Sequence, residues 1–137
     1  MASFDTKHIF FDKENPNTPG TTISYVSNTF TRTMYFKKAG DKEMGHSHNY
    51  DHVTLLALGK IKITVGDKET EFTAPKNILI KKNVNHIVEA LEDGTLCYCV
   101  HALHDKNNPD YILDPDSIPE QSSHALPRQT VPINNDE

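Results

Sequence analysis

The sequence predicts an all-β chain closed into a sandwich or barrel, on three observations. Up to residue 104 it breaks into eight short segments rich in β-branched and aromatic residues. Gly, Asp, Asn or Pro separates them at regular spacing, the pattern of many short strands that must close on themselves. One pair, KIKITVGDKETEFTA, reads as a hairpin around Gly66-Asp67, with Ile61, Ile63 and Val65 on one face and Lys60, Lys62 and Thr64 on the other.

The elements follow in order. DKENPNTPG at 12–20 has the composition of a connector and delivers the chain into TISYV. In NTFTRTMYFKK the even face reads Phe30, Arg32, Met34 and Phe36, which sets one guanidinium in an apolar stripe that alternation turns inward. DHVTLLAL carries His52, Thr54, Leu56 and Leu58 on its even face and Val53, Leu55 and Ala57 on the other, so both faces need cover, from a facing sheet or a second subunit. After the hairpin come NILIKK and HIVEAL, the latter opening on His86. The last strand, TLCYCVH, has two largely apolar faces. Leu96, Tyr98 and Val100 are expected to face in, with Cys97, Cys99 and His101 inward as the alternative that periodicity does not separate.

Beyond His104 the character changes. Five of the eight prolines and no glycine fall there, without sustained periodicity, so residues 105–137 are expected to form an irregular Pro-rich extension packed on a barrel of residues 1–104 or on a neighbouring subunit. At 137 residues the chain suits one domain, with 36% hydrophobic content and no Trp to fill a modest core.

Composition excludes several classes of function. The net charge of −5 comes without a basic stripe, which argues against nucleic acid. No apolar run approaches the roughly 20 residues that span a bilayer, and MASFDTKHIFF lacks a signal-peptide pattern, so a cytoplasmic protein is expected. Cys97 and Cys99, two apart on a strand, sit near the limit for an unstrained disulfide and are expected as free thiols. There is no glycine-rich phosphate loop and no Gly-x-Ser-x-Gly elbow. Glu43, Glu69, Glu71 and Glu89 read as solvated strand residues, and Lys37-Lys38 and Lys81-Lys82 as charges that protect edges or loops.

Function is carried by histidine. Between Gly40 and Gly59 the chain reads GDKEMGHSHNYDHVTLLALG, with His46, His48 and His52 at the mouth of an apolar run. Imidazole is the commonest ligand for first-row transition metals, and His46 and His48, two apart on an extended segment, share a face. His86 joins them if the fold brings its segment alongside.

The spacing from Gly40 through His46, His48 and His52 to Gly59 resembles the first motif of the cupin family, with His52 at the usual glutamate position. PKNILIKKNVNH resembles the second motif at Ile80 and His86. There Pro75, Lys81 and Asn83 stand where the family prefers glycine, proline and glycine, and Ala90 replaces the usual asparagine. The resemblance spans about residues 30 to 102 and implies a small jelly-roll β-barrel, often dimeric, so a homodimer is expected.

It also implies a metal bound by His46, His48, His52 and His86. An all-imidazole set is neutral and suits iron first, with nickel, zinc, cobalt, copper or manganese as alternatives, whereas magnesium and calcium want oxygen. If His52 does not ligate, a three-histidine site remains; Asp51, on the opposite parity, is a poor substitute. Arg32 reads either as a clamp for a substrate carboxylate or as a rim arginine paired with a protein carboxylate. The functional expectation is an oxygen-activating, dioxygenase-like enzyme acting on a small organic acid. The alternatives are an oxygen-independent lyase, isomerase or cyclase, and a non-catalytic metal- or ligand-binding cupin.

Overall fold

The computed structural model describes residues 9–45, 50–105 and 108–112. The described residues are all-β, and every strand pairing is antiparallel. In chain order the strands are β1 Gly20–Val26, β2 Thr29–Phe36, β3 Lys42–Glu43, β4 His52–Leu58, β5 Lys60–Val65, β6 Lys68–Thr73, β7 Lys76–Ile80, β8 Ile87–Ala90, β9 Thr95–Ala102, β10 His104–Asp105 and β11 Asn108–Ile112. A five-stranded sheet in the order β1-β2-β9-β4-β7 faces a four-stranded sheet, β3-β8-β5-β6. The chain crosses repeatedly between the two, which makes a jelly-roll β-barrel.

Strand alternation decides what fills it. From the first sheet Met34, Phe36, Leu56, Ile78, Ile80 and Cys97 point inward, and from the second Ile61, Ile63, Val88 and Ala90. These side chains close one half of the barrel into a dry core. The second sheet's outer face is charged instead: Lys62 lies 3.5 Å from Glu69 and 3.4 Å from Glu89, and Lys60 lies 3.5 Å from Glu71. The Glu69 and Glu71 partners are exposed, and such pairs add little stability.

The register corrects the orientation expected for β9. Cys97 stands opposite both Met34 and Leu56, and Cys99 opposite both Arg32 and Thr54, so Cys97, Cys99 and His101 face in and Leu96, Tyr98 and Val100 face out. Two largely apolar faces gave the sequence no contrast; the neighbours' parity supplies it. On β4 the inner face is covered at His52, Thr54 and Leu56, but past the register shift Leu58 is 40% exposed, and on the outer face Val53 and Leu55 are half-buried and Ala57 is exposed.

The expectation of no regular strand after His104 is also corrected. β10 and β11 form a two-stranded ribbon that includes Pro109, and a ribbon leaves each strand an outer edge on which a missing N–H is tolerated. β3, two residues long, was too short for periodicity to reveal, yet it carries Glu43 to the barrel wall.

Candidate metal centre

Opposite the dry core, the barrel interior turns polar. His52, the first residue of β4, and His86, immediately before β8, are both buried, with 4% and 8% of their surface exposed. They approach from opposite sheets, and their ring centroids lie 5.4 Å apart. Two imidazoles sharing one ion through metal–nitrogen bonds of about 2.0–2.1 Å, at a near-tetrahedral angle, stand on the order of 5 Å apart, so this pair fits a single metal.

The protonation of His86 supports the same use. Its Nδ1 lies 3.1 Å from the Val84 carbonyl oxygen, which can only accept, so Nδ1 carries the proton. In the neutral ring, Nε2 then keeps the lone pair that a metal requires.

The histidine-bearing segments are also tied together through the backbone. Gly45 packs so closely on the His86 peptide that a Cβ built at Gly45 would overlap the His86 carbonyl oxygen. Asp51 accepts a 2.7 Å hydrogen bond from the Lys82 backbone N–H and is exposed, consistent with the outward parity that made it a poor ligand. Asn83, at a position where glycine was expected, adopts φ +63°, a left-handed conformation that Asn tolerates. Gly45 and Tyr50 bracket residues 46–49, and both ends rest on the histidine pair, Gly45 on His86 and Tyr50 with its ring 6.2 Å from His52. His46 and His48 lie outside the described residues. Among the described residues no three His, Cys, Asp or Glu side chains are grouped to hold a metal; of the four expected donors, His52 and His86 are the two that lie among them.

The wall beside the pair is aromatic. His101 lies between Phe30, stacked at 4.5 Å, and Tyr50 at 4.3 Å, with its Nδ1 2.6 Å from the Ala102 carbonyl. Neither Tyr50 nor His101 was assigned to the site from sequence. Tyr50 precedes its strand, and His101 was placed on a face that alternation left undecided.

Arg32 points inward as its stripe predicts and pairs with Glu43 at 2.7 Å, the two side chains 26% and 20% exposed. The pair joins β2 of one sheet to β3 of the other. It lines a 240 Å³ pocket under the connector, together with Asp12, Asn15 and Thr21. Glu43, read from sequence as a solvated residue, is therefore Arg32's protein carboxylate. The signal for it was only its proximity to His46.

Cys97 and Cys99 are free thiols. Burial pushes Cys97 up from its ordinary 9.0 to about 12. Burial also raises Cys99, against smaller opposing effects of a Thr54 hydrogen bond and the Arg32 charge. Both are protonated at neutral pH. The unfolded chain ionises Cys97 first, so the stability Cys97 contributes is intact below its ordinary 9.0 and drains away as pH rises towards about 12. We expect native protein at pH 8 to resist iodoacetamide until denaturant is added, and urea midpoints to fall above pH 9 less steeply in Cys97→Ala than in wild type. Rapid alkylation of the native thiols would contradict this burial.

A jelly-roll β-barrel of this topology defines a fold class, and comparison with solved structures gives that fold its name. The chain is similar to KdgF from Halomonas sp. at 13% identity, covering 78% of this chain and 98% of that one with a TM-score of 0.60. It is similar to a cupin 2 conserved barrel domain protein from Salinispora arenicola CNS-205 at 13% identity, covering 73% and 85% with a TM-score of 0.58. It is also similar to an RmlC-like cupin from Desulfovibrio desulfuricans at 20% identity, covering 73% and 95% with a TM-score of 0.55. No protein-family model and no curated protein matches the sequence. The chain has the fold of a small cupin. No helix among the described residues is long and apolar enough to cross a membrane.

Proposed function

We propose that this chain is a metal-dependent cupin in which His52 and His86, joined by His46 and His48, hold one divalent transition metal, iron first. The observation that carries this reading is the pair of buried imidazoles from opposite sheets, 5.4 Å apart. Two such rings have no packing advantage over aliphatic side chains, and their value lies in their lone pairs. The metal, when bound, supplies Lewis acidity and open positions for a substrate or dioxygen. The aromatic wall of Phe30, His101 and Tyr50 excludes water beside it, and Thr54 and Cys99 offer only neutral, weak hydrogen-bonding groups.

The substrate is a small carboxylic acid, and the reaction is oxygen-activating. Arg32 orients the acid by exchanging Glu43 for the substrate carboxylate, so the guanidinium keeps an anionic partner while the displaced Glu43, 20% exposed, turns to solvent. Arg32→Leu is then expected to weaken small-carboxylate binding by about 1.5–3 kcal/mol, the scale of a charged hydrogen bond. Glu43→Gln should strengthen it by removing the competitor.

The 2.7 Å Arg32–Glu43 contact equally favours a second reading, in which the arginine is a rim clasp and the barrel takes no acid. The deciding experiment is metal analysis of protein purified without added metal, followed by oxygen-uptake screening of small carboxylates on wild type, Arg32→Leu and Glu43→Gln. Uptake that Arg32→Leu abolishes supports the first reading. Metal with no uptake, and carboxylate binding indifferent to both substitutions, supports the second. Protein that neither retains nor takes up a transition metal overturns the proposal.

A further inference from the structure

We propose that a second site, separate from the histidine pair, binds a small organic anion in the cleft between the segment at 11–18 and the β2–β3 loop at 37–41 with the start of β3. The cleft measures about 640 Å³, within the roughly 300–1,000 Å³ of small-molecule sites. None of its lining residues is a candidate metal donor.

Its charge sets it apart from the rest of the molecule. Lys37, Lys38 and Lys42 rim the cleft of a chain whose net charge is −5. The one carboxylate in the lining, Asp41, is 8% exposed and turned back on its own loop, where Oδ2 accepts the Lys38 N–H at 3.4 Å. A concave positive patch on an acidic protein concentrates anions locally. Lys37-Lys38 read from sequence as edge or loop charges, but here they face a cleft.

The walls are held in place before any ligand arrives. Lys42 N–H donates to the Asn17 carbonyl at 2.9 Å, tying loop to connector, and Gly40 N–H donates to the Ala90 carbonyl at 2.8 Å, tying loop to barrel. Ala39 N–H donates to Asp93 Oδ1 at 2.7 Å. Lys37 Nζ sits 4.4 Å above the Phe11 ring, a cation–π contact that positions one ammonium.

Phe11 and the 61%-exposed Met44 give the cleft an apolar side. Lysines act as point charges and suit phosphate or carboxylate without demanding fork geometry. The ligand class is therefore a phosphate or carboxylate carrying a short apolar body.

The test is an amide NMR titration of the full chain with phenyl phosphate, inorganic phosphate and benzyl alcohol. Phenyl phosphate should give saturable shifts at residues 15–18 and 37–44, with half-saturation below about 1 mM. Inorganic phosphate should bind more weakly, and benzyl alcohol should not saturate. Lys37→Glu with Lys42→Glu should weaken phenyl phosphate at least tenfold, and the milder Lys37→Gln with Lys42→Gln measurably, while Lys13→Glu, outside the cleft, changes it less than twofold. Equal loss in Lys13→Glu, shifts that never saturate, or saturable shifts centred on Tyr50, His52 and His86 would each overturn the second site.

Discussion

Replacing Gly45 with alanine is expected to lower metal affinity more than tenfold and stability by about 1–3 kcal/mol, the cost of forcing a methyl into a packed site. The reason lies in what the methyl meets. Its neighbours would be the carbonyl oxygen, carbonyl carbon and nitrogen of His86, backbone atoms that no rotamer change can move aside. The segment at Gly45 must lift away, and the next residue along the chain is His46. Gly40→Ala is the control. Gly40 has φ +96° but no atom within 4 Å of its Cβ position, so alanine there costs backbone strain of about 1 kcal/mol and leaves metal affinity intact. Chelator competition with Zn²⁺ and urea melts on both variants check this. Wild-type affinity in Gly45→Ala would mean that metal binding does not depend on the close packing of Gly45 on His86.

How much of this was legible in the sequence follows from which residues carry contrast. On β2 the alternation of Phe30, Met34 and Phe36 against Thr31, Thr33 and Tyr35 was clear, and the stripe turned Arg32 inward as expected. His52 is buried as its parity with Thr54 and Leu56 predicts, whereas the burial of His86 beside it depends on how the second sheet is placed, which the sequence left open. Leu96, Tyr98 and Val100 were expected inward, and the reverse holds, because hydrophobicity is equal on both faces of β9 and gives no contrast to read. Only cross-strand register, a non-local property, resolves them. Glu43 was missed for a different reason: its partner lies in another sheet, and a two-residue strand has no period to read.

The barrel is thus divided along its length. One half is filled by aliphatic and aromatic side chains that exclude water, and the other holds imidazoles, a thiol, a hydroxyl and an ion pair on the same strands a few residues along. Apolar packing and polar side chains are concentrated at opposite ends, so substitutions at the histidine end should not follow the rules for a core.

His52→Leu and His86→Leu are the sharpest form of that expectation. In protein stripped of metal by chelator, each should leave the thermal midpoint unchanged or raise it, because leucine buries apolar surface where an imidazole buried polar nitrogens. With metal the sign reverses. Each variant should lose more than about 100-fold in affinity, beyond the 10–100-fold seen when a merely supporting group is removed. Excess metal at 100 times its Kd stabilises wild type by about 2.7 kcal/mol, and neither variant should recover that gain at the same concentration. His52→Glu should keep binding and shift preference towards manganese or iron, since an anionic oxygen replaces a neutral nitrogen. Calorimetry of the metal-free and metal-loaded forms of all three variants reads both effects in one experiment. If His52→Leu destabilises the metal-free protein by several kcal/mol and still binds metal as wild type does, His52 is a packed core histidine, and the ion is held by His46, His48 and His86 without it.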